Sequence, residues 1–366
     1  MTTQSHAQAP PTGAAVDPDK LMAFVFRAVD EVGATLNTAL VVMGDRLGFY
    51  RLMADGAPTT PAQLAERSGT GEPYVREWLN AQAAGGYVTY HPGSGSYTLP
   101  PEQAVALTDE SSPVYLPGFF QLAHGTARDA PRILEAARAG DGFGWHEHNH
   151  DVMAGCERFF RPGYSANLVG SWLPALEGVV ERLERGARVA DVGCGHGAST
   201  VLMAQAFPAS RFTGSDYHAE SVATARERAA DAGVTDRTTF EVAPATAFSG
   251  GPFELVTTFD ALHDMGDPIG AARHVYENLA DDGTWMIVEP AAGDHVEDNL
   301  NPVGRAYYGF STLLCTPSSL SQDVGMALGT QAGPARIRDV ATTAGFTRFR
   351  IAAQTPFNNV LEVRKS

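Results

Sequence analysis

Apolar residues recur at helical spacing through the first third of the chain, and short apolar runs alternate with helical stretches through its second half. Lys20 to Leu47 carries one long helical pattern. A second begins at Thr60-Pro61, a capping threonine with proline at the first helical position, and a third runs from Glu72-Pro73 through Ala84 until Gly85-Gly86 stops it. Tyr87 to Tyr90 and Ser96 to Leu99 flank the turn His91-Pro92-Gly93-Ser94-Gly95, which predicts a hairpin. Helix, turn, helix and hairpin together read as a winged helix.

The second half has a different rhythm. Arg188 to Val192, Arg211 to Asp216, Thr239 to Ala243, Phe253 to Phe259 and Thr284 to Val288 are strand-like, with helical patterns at Ala219 to Ala232 and Ile269 to Leu279. That alternation predicts a parallel sheet with helices on its faces. Pro334 to Ala344 reads as a helix, and two β-rich runs follow, Phe346 to Ala352 and Asn358 to Val363. The link Gln354-Thr355-Pro356 is too short for a crossover, so these two strands form a hairpin. The expected fold class is α/β: a Rossmann-like core, parallel with a terminal antiparallel hairpin, preceded by a mainly helical winged-helix domain. The expected domains are a disordered tail over 1–18, the winged helix over 19–110, connecting helices and an active-site cover over 111–180, and the core over 181–366.

Composition narrows the partners. The formal net charge is -16 over 366 residues, so nucleic acid and anionic membranes, which bind through clustered Lys and Arg, are poor partners and small molecules better ones. The helix Pro73 to Ala84 offers Arg76 against Glu72 and Glu77, and the wing has no Lys or Arg, which speaks against a winged-helix DNA regulator. Cys156, Cys194 and Cys315 are odd in number and outside any C-x-x-C spacing, which indicates a reducing, cytoplasmic setting. With no export signal and no apolar stretch of about 18 residues, neither secretion nor a membrane span is expected.

The chemistry concentrates where the first core strand ends. Asp191, Gly193, Cys194, Gly195, His196 and Gly197 form an alternating glycine loop before a helix, a pattern that lets the backbone approach a ligand closely. Asp216 ends the next strand 25 residues after Asp191, where a carboxylate can accept ribose hydroxyls or cap the following helix. These residues fit either a nicotinamide dinucleotide, as in an oxidoreductase, or S-adenosylmethionine.

The glycine spacing and the closing hairpin together resemble the seven-stranded class I S-adenosylmethionine-dependent methyltransferase fold. With the winged helix before it, the chain resembles small-molecule O-methyltransferases of plant and bacterial secondary metabolism, and more narrowly an actinobacterial methyltransferase family. Phe259-Asp260-Ala261-Leu262-His263-Asp264 resembles that group's L-H-D-W-S-D string. The resemblance implies His263 as general base, Glu289 as the acid that orients it, and cofactor contacts from Tyr217, Pro244, Ala245, Asp260 and Tyr164 beside the glycine loop. It also implies a homodimer built on the amino-terminal domain. Two departures stand out: Met265 replaces the group's tryptophan, and no second orienting acid aligns later in the chain.

Two further segments carry candidate chemistry. Trp145-His146-Glu147-His148-Asn149-His150-Asp151 could line a substrate pocket, hold a metal with Asp151 or His295, or lie on the surface. Methyl transfer itself requires no metal. The insertion 291–333 follows the fifth core strand and contains a helix-like aromatic stretch, Val303 to Leu314, which is expected to act as a lid and select the acceptor.

Overall fold

The computed structural model describes residues 15–366; the first 14 positions of the expected tail lie outside them. Helix α1 spans Pro18–Arg46, with Asp17 accepting from the first-turn N–H groups, so it begins inside the stretch expected as tail. Helices α2 (Phe49–Leu52), α3 (Pro61–Ser68) and α4 (Glu72–Ala84) follow, then the hairpin β1 (Thr89–His91) and β2 (Ser96–Thr98), and α5 (Pro101–Thr108). Thr60 and Gln63 form a capping box at the start of α3. Val41, Phe49, Tyr50, Leu64, Val75, Trp78 and Leu79 close around a core of their own, which makes the winged helix a separately packed module.

Helices α6 (Pro117–Ala139) and α7 (His150–Asn167) connect this module to the sheet and pack tightly on each other. A Cβ on Gly118, Gly125 or Gly155 would lie 2.3–2.8 Å from backbone atoms of the facing helix. Helix α8 (Val179–Arg185) leads into β3 (Arg188–Val192), followed by α9 (Ala198–Ala206), β4 (Arg211–Asp216), α10 (Ala219–Asp231), β5 (Thr238–Val242), β6 (Phe253–Phe259), α11 (Pro268–Asn278) and β7 (Leu279–Pro290). After the insertion, with α12 (Pro302–Phe310) and α13 (Thr316–Leu320), come α14 (Gly333–Thr343), β8 (Arg348–Gln354) and β9 (Asn358–Arg364). The seven strands are ordered β5-β4-β3-β6-β7-β9-β8; β9 lies between β7 and β8 and runs antiparallel to both.

Both faces of this sheet are covered, and the strands show it residue by residue. On β3, Val189 joins one core cluster while Ala190 and Val192 join the other; on β7, Met286 and Val288 separate from Trp285 and Ile287 in the same way. Helices α9 and α10 cover one face, α11 and α14 the other. The strand expected at Thr284 begins at Leu279, directly after α11. The aromatic stretch of the insertion is not one regular helix: α12 widens at Ser311–Cys315 into a π turn before α13. No helix among the described residues is long and apolar enough to cross a membrane.

Candidate active site

The glycine loop occupies the carboxyl end of β3, and its sequence dictates its shape. Gly193, Gly195 and Gly197 have φ of +75°, +50° and +77°, a region costly for any residue with a Cβ. A Cβ on Gly193 would meet Ala261 at 2.9 Å, so this loop lies against the loop that carries His263. A Cβ on Gly195 would meet nothing within 4 Å: it faces the open crevice.

The N–H groups of Gly193, Cys194, Gly195 and Gly197 are satisfied within the protein and are not left for a ligand. Gly193 and Cys194 both donate to the Ser215 carbonyl, Gly195 donates to Asp216 Oδ2 at 2.9 Å, and Gly197 donates to the Cys194 carbonyl. The Cys194 side chain is buried and lies against Gly214, so it offers no ligand group to the crevice. Asp191 is likewise corrected. Its buried carboxylate accepts from Ser199 and Thr200 at 2.6 and 2.5 Å and from Thr257 at 3.0 Å, so it braces the loop from behind. Burial raises its pKa, and the three hydroxyls oppose that rise.

Asp216 ends β4 beside the loop, accepting also from the His218 N–H at 2.9 Å; burial raises its pKa. His218, not Asp216, caps α10. Tyr217 stands 42% exposed next to it. The turn after β5 is pinned to the same spot, since Ala243 N–H donates to the Asp216 carbonyl, and it presents Pro244 to solvent with Ala245 half-buried. Tyr164 reaches over from α7 and donates to Asp260 Oδ2 at 2.7 Å, while Asn358 from β9 donates to Asp260 Oδ1 at 2.9 Å. Asp260 has φ +47°, a strained value for a residue with a side chain, at the end of β6. Its pKa is pushed up to about 8, first by burial and then by Glu289.

His263 and Glu289 sit at the ends of adjacent strands, β6 and β7. Glu289 accepts from the Leu262 N–H at 3.0 Å, and its other oxygen lies 2.5 Å from His263 Nδ1. The imidazole is 3% exposed. Its Nε2 lies 3.2 Å from Asp264 Oδ1, and the Cys315 sulfur lies within 4.8 Å of a ring nitrogen. Burial works to lower the imidazole pKa, but the carboxylates of Asp264 and Glu289 outweigh it and raise the pKa well above the ordinary value. Where the resemblance implied a second acid from a later segment, the insertion delivers Cys315.

Sequence reasoning missed the frame around this pair. Trp145 donates its indole N–H to Asp264 Oδ2 at 3.1 Å, and Gln322 and Ser319 clasp the carbonyls of Asp264 and Met265. Leu122, Val152, Leu314 and Cys315, with Trp145, Cys156 and Phe310 against them, make an apolar wall next to the imidazole. The histidine segment itself forms neither a strand nor one helix: Trp145–Glu147 is a 3₁₀ turn and His150 starts α7. Its metal reading is overturned, because His148 is buried against Asp129 at 2.9 Å while His146 and His150 are exposed. His295, in the insertion, precedes a separate short turn.

The strand order, the lone antiparallel strand between β7 and β8, and the glycine loop at the end of β3 define a class I methyltransferase fold. Residues 183–324 match the methyltransferase domain family, and residues 35–109 match the Rv2258c-like winged HTH domain. The chain thus combines a winged helix-turn-helix domain with a methyltransferase domain, as the resemblance implied. It is 30% identical over 143 residues to 27-O-demethylrifamycin SV methyltransferase of Amycolatopsis mediterranei, covering 38% of this chain and 44% of that protein. It is 33% identical over 102 residues to an uncharacterised protein of Synechococcus, covering 27% and 24%. The matches thus span less than half the length of either relative. In fold it is similar to mitomycin 7-O-methyltransferase (TM-score 0.70, 18% identity, 95% of this chain and 100% of that one) and to human N-acetylserotonin methyltransferase in complex with S-adenosylmethionine (0.66, 16%, 97% and 100%).

Proposed function

We propose that this protein transfers a methyl group from S-adenosylmethionine to a small-molecule acceptor, at the oxygen of a phenolic or enolic hydroxyl. The observation that carries the reading is the His263–Glu289 couple, 2.5 Å apart, on a loop that touches the glycine loop. In this reading Gly193, Gly195 and Gly197 shape the cofactor crevice and Asp216 receives the ribose hydroxyls. Tyr217, Pro244 and Ala245 border the adenine, and Tyr164 with Asp260 closes the methionine end. When bound, S-adenosylmethionine supplies an electrophilic sulfonium methyl.

The residues of the chain supply the base. With Nδ1–H directed at Glu289, the lone pair of His263 lies on Nε2, where it takes the acceptor's hydroxyl proton as the oxygen gains its methyl group. Glu289 stabilises the imidazolium that forms. Entry of a hydroxyl requires Nε2 to leave Asp264 and Cys315 for the acceptor. The apolar wall around it favours a planar, apolar acceptor. Names of the relatives support oxygen as the target atom, since two of them denote O-methylation or its O-demethyl substrate.

Calorimetry with S-adenosylhomocysteine and with NAD tests the cofactor. Saturable binding of the former is expected; binding of NAD alone would replace methyl transfer with an oxidoreductase. Incubating phenolic, enolic and amine metabolite pools with labelled cofactor then finds the acceptor by a gain of one methyl mass.

The winged-helix module is proposed to join two copies of the chain. Phe24, Phe26, Val29, Val32 and Leu36 of α1 are 61–67% exposed, too much apolar surface for a helix that meets only water. Arg76 on α4 is paired with Glu72 and Glu77, leaving that helix no free cation for phosphate. Light scattering should give a dimer, and duplex DNA should not bind at moderate salt. The free thiols fit a cytoplasmic setting.

A further inference from the structure

The thiol of Cys315 takes no chemical step in the function proposed above, yet it lies beside the proposed base. It closes the π turn Ser311–Cys315, is 4% exposed, and its sulfur lies within 4.8 Å of a His263 ring nitrogen. Donor atoms of His263, Asp264 and Cys315 all lie within 4.8 Å of one another, which no other trio of His, Cys, Asp or Glu among the described residues achieves. Asp264 Oδ1 is buried with no hydrogen bond and lies 3.2 Å from His263 Nε2. Its partner oxygen is turned outward to Trp145. Glu289 meanwhile holds Nδ1, as a carboxylate does behind a metal-bound imidazole, leaving Nε2 free to donate a lone pair.

Thiolate, imidazole and carboxylate form a donor set suited to zinc, with three protein ligands and a fourth position left for water or an acceptor. A cation bound there would take the place of the thiol proton. We propose that His263, Asp264 and Cys315 form an inhibitory zinc site: Zn²⁺ ligated by Nε2, a carboxylate oxygen and Sγ occupies the lone pair that would take the acceptor's proton. Binding releases the Cys315 proton, and any proton on His263, to solvent. Zinc then competes with the acceptor for the lone pair on Nε2. The inhibitory effect rests on His263 being the base; the site itself does not.

The test uses the full-length, tag-free protein titrated with Co²⁺, which reports a thiolate ligand by a charge-transfer band in the near ultraviolet. One equivalent should produce the band. It should vanish in Cys315→Ser and persist in Cys156→Ser and Cys194→Ser, which cover all three cysteines of the chain. Asp264→Asn, nearly equal in volume, should weaken cobalt binding by about tenfold and provides the check if Cys315→Ser does not fold. Zn²⁺ should displace the cobalt and raise the KM for the acceptor with the cofactor KM unchanged. No band, or a band that survives Cys315→Ser, overturns the site. A band lost in Cys315→Ser together with turnover indifferent to zinc upholds the site and overturns His263 as the base.

Discussion

Gly195→Ala and Gly197→Ala separate ligand recognition from folding within one loop. Both glycines have positive φ, so any Cβ costs roughly 1–2 kcal/mol of backbone strain. At Gly197 the new methyl would also lie 2.8 Å from Ala225 Cβ and 3.1 Å from the Phe240 ring, and overpacking of that kind adds about 1–3 kcal/mol. Gly197→Ala should therefore lose roughly 2–5 kcal/mol, and Gly195→Ala only the smaller strain cost. At about 2–4 °C per kcal/mol for a domain of this size, the two melting temperatures should separate clearly. Ligand affinity should rank the other way. The Gly195 methyl projects into the open crevice, where it should weaken S-adenosylhomocysteine by about 10- to 100-fold, or roughly 1.4–2.8 kcal/mol. Scanning calorimetry measures the first quantity and titration calorimetry the second. A Gly195→Ala protein that binds S-adenosylhomocysteine within about twofold of the wild type would refute the placement of the cofactor over this loop.

Other expectations follow from the carboxylates and the base. Asp191→Asn should destabilise the fold by about 3 kcal/mol, the scale of charged hydrogen bonds lost, while S-adenosylhomocysteine affinity changes little; the reverse pattern would return Asp191 to the ligand. The raised pKa of His263 favours the protonated ring, so kcat/KM for the acceptor should climb as pH rises. His263→Ala should lower turnover by about 10²- to 10⁴-fold, and Glu289→Gln should move the rising limb to lower pH, because it removes a negative charge from beside the imidazole. Asp260, raised to about 8 from an ordinary carboxylate value near 3.9, stabilises the fold below the lower value and loses that contribution as pH rises through the upper one. The melting temperature of Asp260→Asn relative to wild type should therefore improve between pH 5 and pH 8.5, and a constant difference would refute the assignment.

The sheet was legible because its strands are short, apolar and punctuated by glycine and proline, and because a three-residue link cannot cross a sheet. Position along the chain then determined which loops meet at the carboxyl end of the strands, while the pairing of His263 with Glu289 was implied by the resemblance to O-methyltransferases. What sequence could not give was the direction of a group at a known position. Asp191 carries the right residue type in the right motif, but Ser199, Thr200 and Thr257 draw its carboxylate away from the crevice. The loop amides were expected to face a ligand and instead close the loop on Ser215 and Asp216. Glycine spacing encodes the path of the backbone, and that path has more than one use for an N–H.

The departures from the O-methyltransferase string show how a site can be rebuilt with residues distant in sequence. Met265 stands where that string has tryptophan, and it packs into the core under the loop. An indole reaches the neighbouring aspartate all the same: Trp145 donates to Asp264 across 119 positions, and the 3₁₀ turn that carries it sets the angle of approach. Gly142 and Gly144 make this possible, since a Cβ at Gly142 would fall 1.9 Å from the Ser321 backbone nitrogen, next to the insertion's α13. Cover, insertion and base are therefore locked to one another through glycines that lack any chemistry of their own. A motif read along the chain reports Met265 as a loss, whereas the folded chain supplies an aromatic donor from the cover. In the proposed reaction, an acceptor that enters would consequently disturb the cover and the insertion together, coupling substrate entry to the exposure of His263 Nε2.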